Sequence, residues 1–129
     1  MATVNRFEDL EIWKKSRVLC QKIWSITNRD PFSKDFELKN QINAASGSVM
    51  DNIAAGFERS GNKEFIHFLL IAKAYNGEVR SQLYRMNDRK YLVLEKYEGL
   101  KSKNETLSKK ITSFIKYLKE SEKKGFRYE

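Results

Sequence analysis

The chain has 129 residues, of which 40% are hydrophobic and 33% are charged, and its formal net charge is +8. The length suits one domain, and the lack of both a run of about 20 apolar residues and an apolar N-terminal signal excludes a membrane span and predicts a cytoplasmic protein. One cysteine, one histidine and one proline exclude a disulfide framework or a multi-cysteine metal site and argue against a turn-rich β fold, while the excess of basic residues favours polyanionic partners.

The first helix is predicted over about residues 9–27, where apolar side chains spread over roughly 200° of the helix circumference. A helix in a simple bundle needs an apolar arc of only about 100°. We therefore expect this helix to bury two flanks, with Ile12 and Leu19 at an interface with a second subunit.

The second helix is predicted over about residues 34–58. A break precedes it at Pro31, because proline lacks an N–H and its ring clashes with the preceding turn. Ser33 can cap the helix, whose apolar stripe runs at helical spacing from Leu38 to Phe57. Small residues between the stripe positions, Gly56 among them, allow a neighbouring backbone to approach closely.

The third helix is predicted over about residues 63–88 and the fourth over about residues 95–122. The third helix carries a second apolar stripe with Ile66 and Leu70, which we also assign to an interface between subunits. Short connections between long helices force antiparallel neighbours. The predicted fold is therefore an all-α, antiparallel up-down-up-down four-helix bundle that forms one domain over residues 1–129.

The sequence offers little for catalysis, and we predict no catalytic residue. Gly56, Gly61 and Lys63 superficially suggest a phosphate loop, but Glu64 occupies the position of the metal-binding hydroxyl and no strand precedes it. Cys20 lies within the apolar arc of the first helix and is interpreted as a buried small hydrophobe rather than a nucleophile.

Glu64 and His67 form a Glu-x-x-His pair, which two-iron bundles use on two helices together with further glutamates. The chain has a single histidine, so the pair is interpreted as an ordinary surface pair, and a metal shared between subunits remains the minority alternative. We expect neither a metal nor a cofactor.

Four polar residues lie near the small-residue zone of the second and third helices. If buried, each needs a hydrogen-bond partner, which favours an interhelical network that fixes the register of the bundle. A ligand site is the minority interpretation. The residues are Gln41, Asn52, Glu78 and Gln82.

The positive charge is concentrated in the second half of the chain. Lysines around a helix often form only its solvated face, and the competing interpretation is a surface for nucleic acid. The residues predicted to bind nucleic acid are Arg80, Arg85, Arg89, Lys101, Lys109, Lys110 and Lys116.

Three blocks of the sequence carry a family pattern. The first is residues 7–16, FEDLEIWKKS. The second comprises Gln41-Ile42, Ala45, Ser48, Asn52-Ile53-Ala54 and Gly56. The third comprises Arg59, Lys63-Glu64-Phe65, Phe68-Leu69, Ile71-Ala72, Glu78, Gln82-Leu83 and Tyr91-Leu92. Over about residues 7–120 the chain resembles the four-helix bundle proteins first described from intervening sequences within bacterial 23S ribosomal RNA genes.

This resemblance implies an antiparallel four-helix bundle that assembles into rings of five. A distant branch of the same fold, the accessory proteins of diversity-generating retroelements, is a basic pentamer that binds a reverse transcriptase and nucleic acid. The chain departs from the family pattern at Asn43-Ala44, Ala55 and Ala74-Tyr75. These departures weaken the transfer of a nucleic-acid surface to the second helix.

Taken together, these features predict a non-enzymatic, homo-oligomeric bundle, expected as a pentamer, that binds RNA or DNA through a basic surface and does not engage membranes. The alternative is a protein–protein scaffold or an accessory subunit, for example of a reverse transcriptase, in which the charge serves only solubility.

Overall fold

Four long helices make up the architecture. The computed structural model describes residues 4–123, so the first three and last six residues of the predicted domain lie outside the described part. The helices are α1 (Glu11–Thr27), α2 (Phe36–Glu58), α3 (Asn62–Asp88) and α4 (Leu94–Lys123), with short 3-10 turns at Phe7–Asp9 and Phe32–Lys34. No strand occurs within this range, which confirms the all-α class. None of these helices has the length and apolar character needed to cross a membrane.

Consecutive helices run antiparallel, as their contacts show. Between α2 and α3, Asp35 contacts Arg89 at one end and Gly56 lies against Phe68 at the other. Residue numbers therefore increase along α2 in the direction in which they decrease along α3. The same reversed order relates α3 and α4, in the pairs Phe65–Phe114 and Asn76–Asn104.

The hydrophobic core is one cluster to which all four helices contribute. Ile12 and Leu19 belong to it, with exposures of 5% and 2%, so their predicted place at a subunit interface was wrong. They share a single α1 face with Ser16 and Ile23, at the spacing of one helical stripe. The apolar arc of α1 is wide because it also includes Val18 and Trp24, and these two side chains remain exposed.

Two glycines of α2 differ sharply in their surroundings. A Cβ atom on Gly56 would lie 2.6 Å from the Cβ of Phe68, so α3 approaches the α2 backbone there as expected. At Gly47 such an atom would meet nothing within 4 Å. Only Gly56 is therefore required by helix packing.

The N-terminus of α2 is capped by Asp35 rather than by the predicted Ser33. The Asp35 carboxylate accepts a hydrogen bond from the Leu38 N–H at 3.3 Å. Ser33 lies two residues earlier in a 3-10 segment, where its hydroxyl bonds to Asp30 instead. The tyrosine hydroxyl of Tyr91 also donates to Asp35, at 2.7 Å, which ties the α3–α4 connection to the start of α2.

Candidate nucleic-acid interface

Three of the seven predicted nucleic-acid-binding cations are held in ion pairs. A paired cation attracts phosphate less strongly, because its partner offsets part of its field. The pairs are Arg85–Glu37 at 3.5 Å, Arg89–Asp35 at 2.6 Å and Lys110–Glu11 at 2.7 Å.

Two further predicted cations are turned toward other side chains. The half-buried Arg80 guanidinium lies 3.4 Å from the Asn104 side-chain oxygen. The Lys101 ammonium lies 4.9 Å from the centre of the Tyr84 ring, and a hydrogen bond with the Tyr84 hydroxyl raises the pKa of Lys101. Both cations are thus engaged along the α3–α4 boundary.

The remaining two, Lys109 and Lys116, are exposed on α4 and make no ion pair with the described residues. Helical geometry places them on a different side of α4 from Lys110, which reaches α1. The structure therefore does not gather the seven predicted cations into one surface.

A concentrated basic surface lies instead between α1 and α4. Two adjoining clefts of about 590 Å³ and 290 Å³ follow this boundary. Among the described residues, six basic side chains and one carboxylate, Glu11, line them. We call this surface the cation groove, and its basic residues are Lys14, Lys15, Lys22, Arg29, Lys96 and Lys103.

The sequence builds the groove by heptad spacing. On α1, Lys15 and Lys22 are seven residues apart, and Arg29 follows at the same interval just beyond the helix end. On α4, Lys96 and Lys103 share that interval. Residues seven apart lie on nearly the same side of a helix, within about 20°. Each helix therefore presents a row of cations beside its buried stripe.

Apolar residues form the floor beneath these rows. Val18 and Ile26 of α1 and Leu100 of α4 line the clefts together with the basic side chains. Long lysine stems cover such apolar surface while their ammonium groups remain in water. The arrangement thus combines a partly exposed apolar floor with a charged rim.

Electrostatically, the groove is positive along nearly its whole length. Within the described part of the chain, none of its six basic residues forms an ion pair. Glu11 accepts a hydrogen bond from Lys110, and this bond, with the positive charges of Lys110 and Lys15, holds the pKa of Glu11 below its usual range. Glu11 is therefore ionised at neutral pH, and its negative charge is paired with Lys110 at one end of the groove.

Chemically, the groove offers cations and hydroxyl donors. Ser25, Ser102 and Thr106 line it, and hydroxyls of this kind donate to phosphate oxygens. The groove was not predicted from the sequence, because the excess of positive charge in the second half of the chain conceals the row of cations on α1. The signal that would have revealed it is the seven-residue spacing of basic residues on both helices.

The residues considered for chemistry do not assemble into a reactive site. The Glu64 carboxylate pairs with Arg59 at 3.1 Å, and His67 is exposed. Cys20 is half-buried and accepts a weak hydrogen bond from Ser46 at 3.7 Å. Across the described residues, no three His, Cys, Asp or Glu side chains are arranged to hold a metal ion.

The four residues of the predicted polar network do not contact one another as a network. Gln41 is exposed and accepts from Arg85. Asn52 donates to the Ser48 carbonyl within its own helix, at 2.8 Å. Glu78 is exposed, and Gln82 is buried with its side-chain oxygen unpartnered among the described residues. Gln41, Glu78 and Gln82 line one cleft between α2 and α3, but no hydrogen bond joins them among the described residues, so the predicted network was wrong. Small residues bring the two helices together, which leaves Gln41 and Glu78 at the exposed edge.

A different polar pair spans the core. Asn76 donates to the Asn104 carbonyl at 2.9 Å, and Asn104 donates to both oxygens of Asn76 at 2.9 Å. Both residues are fully buried. Asn104 lies in the core stripe of α4 between Leu100 and Leu107. A polar residue at a core position of this kind is the feature of the sequence from which the buried pair could have been predicted.

The family of the chain follows from comparison with known proteins. A model of the 23S rRNA-intervening sequence protein family matches residues 8–113. The chain belongs to this family. A crystal structure of a protein of unknown function from the S23 ribosomal protein family of Bacteroides thetaiotaomicron is similar in fold, with a TM-score of 0.75 and 23% identity over 81% of this chain and 98% of that one. The search of curated proteins finds no match.

The matched region of the intervening-sequence protein contains all of α1, α2 and α3 and most of α4. Every basic residue of the cation groove falls inside it. The groove is therefore part of the family core of this chain rather than of a terminal extension.

Proposed function

We propose that the chain is a binding protein that holds RNA or DNA in the cation groove. The observation that carries this proposal is the lining of the groove, which among the described residues contains six basic side chains and one carboxylate. Phosphate groups that replace the counterions of such a surface gain affinity from counterion release. The hydroxyls of Ser25, Ser102 and Thr106 add neutral donors along the same path.

The proposal places binding between α1 and α4 rather than on the seven cations predicted from the sequence. Of those seven, only Lys110 borders the groove, where it pairs with Glu11. Lys109 and Lys116 supply a comparison, because they are also unpaired, exposed lysines of α4 but do not line either cleft.

The test compares two double variants by fluorescence anisotropy with labelled RNA and DNA over a salt series. K22E/K103E and K109E/K116E change the net charge equally, and circular dichroism checks that both remain helical. We expect K22E/K103E to weaken binding at least about tenfold and to flatten the salt slope by about two units, whereas the control stays near the wild type. Equal losses, or no binding by the wild type at low salt, would overturn the proposal.

Self-association is a second part of the proposal, with five copies as the expected number. Its support is the outer side of α3, where Leu70 is 49% exposed and Ile66 one turn earlier is only partly buried. Association of several copies would add their positive fields. Light scattering on a sizing column tests this directly. We expect an oligomer that Leu70→Asp dissociates, and a wild-type monomer at micromolar concentration contradicts it.

A protein-binding scaffold is the second candidate function, and one observation favours it. Large apolar side chains are exposed at the end of the bundle where α1 and α3 finish and α2 and α4 begin. They are Trp24, Phe36, Val93 and Leu94, with exposures of 59%, 69%, 66% and 61%. Recovery of one defined protein partner after nuclease treatment, lost in Phe36→Ser, would favour this function.

A further inference from the structure

The side chains that line the cation groove determine which features of a nucleic acid it can recognise. Single-strand binders combine positive charge with aromatic rings on which bases stack. Base reading in duplex grooves depends mainly on Arg, Asn, Gln, Asp and Glu side chains at base edges. The two clefts are lined by no aromatic and no amide side chain among the described residues, and Arg29 is the only guanidinium.

A surface that contacts phosphate alone favours the ligand with the higher charge density. A duplex carries about one charge per 1.7 Å of its axis, twice the density of one of its strands. Lys15 and Arg29 are 14 positions apart, about 21 Å at the helical rise of 1.5 Å per residue. Over that length a duplex presents about 12 phosphates and one of its strands about six.

The two rows of cations also match the two backbones of a duplex. One row belongs to α1 and the other to α4, and packed helices have axes about 8–10 Å apart. The minor groove of a B-form DNA duplex is about 6 Å wide, with a phosphate backbone on each side, and that of an A-form RNA duplex is wider. Lys22 and Lys103, on opposite sides of the cleft, can thus each serve a different strand.

We propose that the cation groove selects double-stranded over single-stranded nucleic acid and reads no base sequence. The inference rests on the proposed function of this groove and goes beyond it by naming the ligand class. It follows from the lining, since lysines and hydroxyls recognise phosphates that every sequence shares.

The test uses the full chain and anisotropy with a 20-base-pair duplex, its two separated strands, and three duplexes of unrelated sequence, as both RNA and DNA. We expect the duplex to bind about tenfold or more tightly than either strand near 0.15 M salt, with a slope of about −4.5 for five phosphate contacts. The unrelated duplexes should agree within about threefold. K22E/K103E should remove the preference, and K109E/K116E should keep it.

Two results would overturn this inference while leaving the proposed function intact. One is equal or tighter binding of a single strand, and the other is a preference of more than about tenfold for one duplex sequence. Loss of all nucleic-acid binding would instead overturn the proposed function. Heparin, a polyanion without bases, should displace the duplex, as recognition through charge density requires.

Discussion

Asn76 and Asn104 bond to each other reciprocally across the buried boundary of α3 and α4, each side-chain amide donating to the other's backbone carbonyl at 2.9 Å. Their burial makes this pair the principal polar contact inside the core. Side-chain bonds to backbone carbonyls fix the relative height of two helices, because a shift by one turn breaks all of them at once.

We predict that Asn104→Ala lowers the free energy of unfolding by about 2 kcal/mol, since the buried side-chain oxygen of Asn76 then loses its donor, while the Asn76 amide keeps the backbone carbonyl of residue 104. Urea denaturation followed by circular dichroism measures this loss. The double variant N76L/N104L removes both partners and should recover much of the stability. A single variant as stable as the wild type would show that the pair contributes little.

The hydrogen bonds of Tyr91 and Arg89 to Asp35 make the free energy of unfolding depend on pH. The Tyr91 hydroxyl donates to Asp35 and holds the pKa of that carboxyl below its ordinary value of 3.8, with Arg89 and the Leu38 N–H acting in the same direction. The stabilisation is complete above the unfolded pKa and is lost as the pH falls through the lower folded pKa. Asp35→Asn should cost about 1 kcal/mol at neutral pH, because the neutral amide loses the charge-assisted bonds from Tyr91 and Arg89, although Asn caps a helix about as well as Asp.

The measurement is urea unfolding of the wild type and Asp35→Asn at several pH values from 7 down to 2. The two stabilities should converge only at the acid end of this range, because the wild-type carboxyl is protonated there. A difference that stays constant with pH would exclude a role for the Asp35 charge.

Glu11 is the acidic residue that lines the cation groove, and its charge is matched by Lys110. We predict that Glu11→Gln tightens nucleic-acid binding by about three- to eightfold at 0.1 M salt, because Lys110 is freed for one more phosphate contact. Glu105→Gln, an exposed change elsewhere on α4, is the control for net charge. Similar gains from both variants would mean that only overall charge matters.

Gly56 and Gly47 form a matched pair for helix packing. A methyl group at Gly56 would lie 2.6 Å from the Phe68 Cβ and 3.0 Å from a Phe65 ring carbon, so Gly56→Ala should destabilise the chain by about 1–3 kcal/mol. Gly47→Ala meets open space and should stabilise by up to about 1 kcal/mol through helix propensity. Thermal unfolding of both variants checks the opposite signs, and a stabilised Gly56→Ala would disprove the close approach.

The helices were predictable because their apolar stripes repeat at the helical period. Residues such as Ile42 and Leu83 lie in the core as their spacing requires. The cap of α2 was misplaced because a 3-10 turn intervenes between Pro31 and the helix, which shifts the start by two residues. A pattern of apolar residues does not reveal such a turn.

The candidate site was harder to predict, because charge patterns do not show which cations find partners. Arg85 and Arg89 resemble free surface cations in the sequence, yet carboxylates on α2 neutralise them across the helix boundary. Ile12 and Leu19 were misassigned for a related reason, since an apolar arc gives no indication of which part faces the chain's own core. The partner of a cation and the direction in which an apolar arc faces both depend on which helices become neighbours.

The opposed directions of α1 and α4 give the cation groove a further property. Both rows repeat at the same seven-residue interval, so the distance between successive cations is the same when the groove is viewed from its other end, although Glu11 lies at one end only. The two strands of a duplex are likewise equivalent on reversal. A bound duplex would therefore fit in either polarity, and footprints on a long fragment should be symmetric and show no preferred 5′-to-3′ direction.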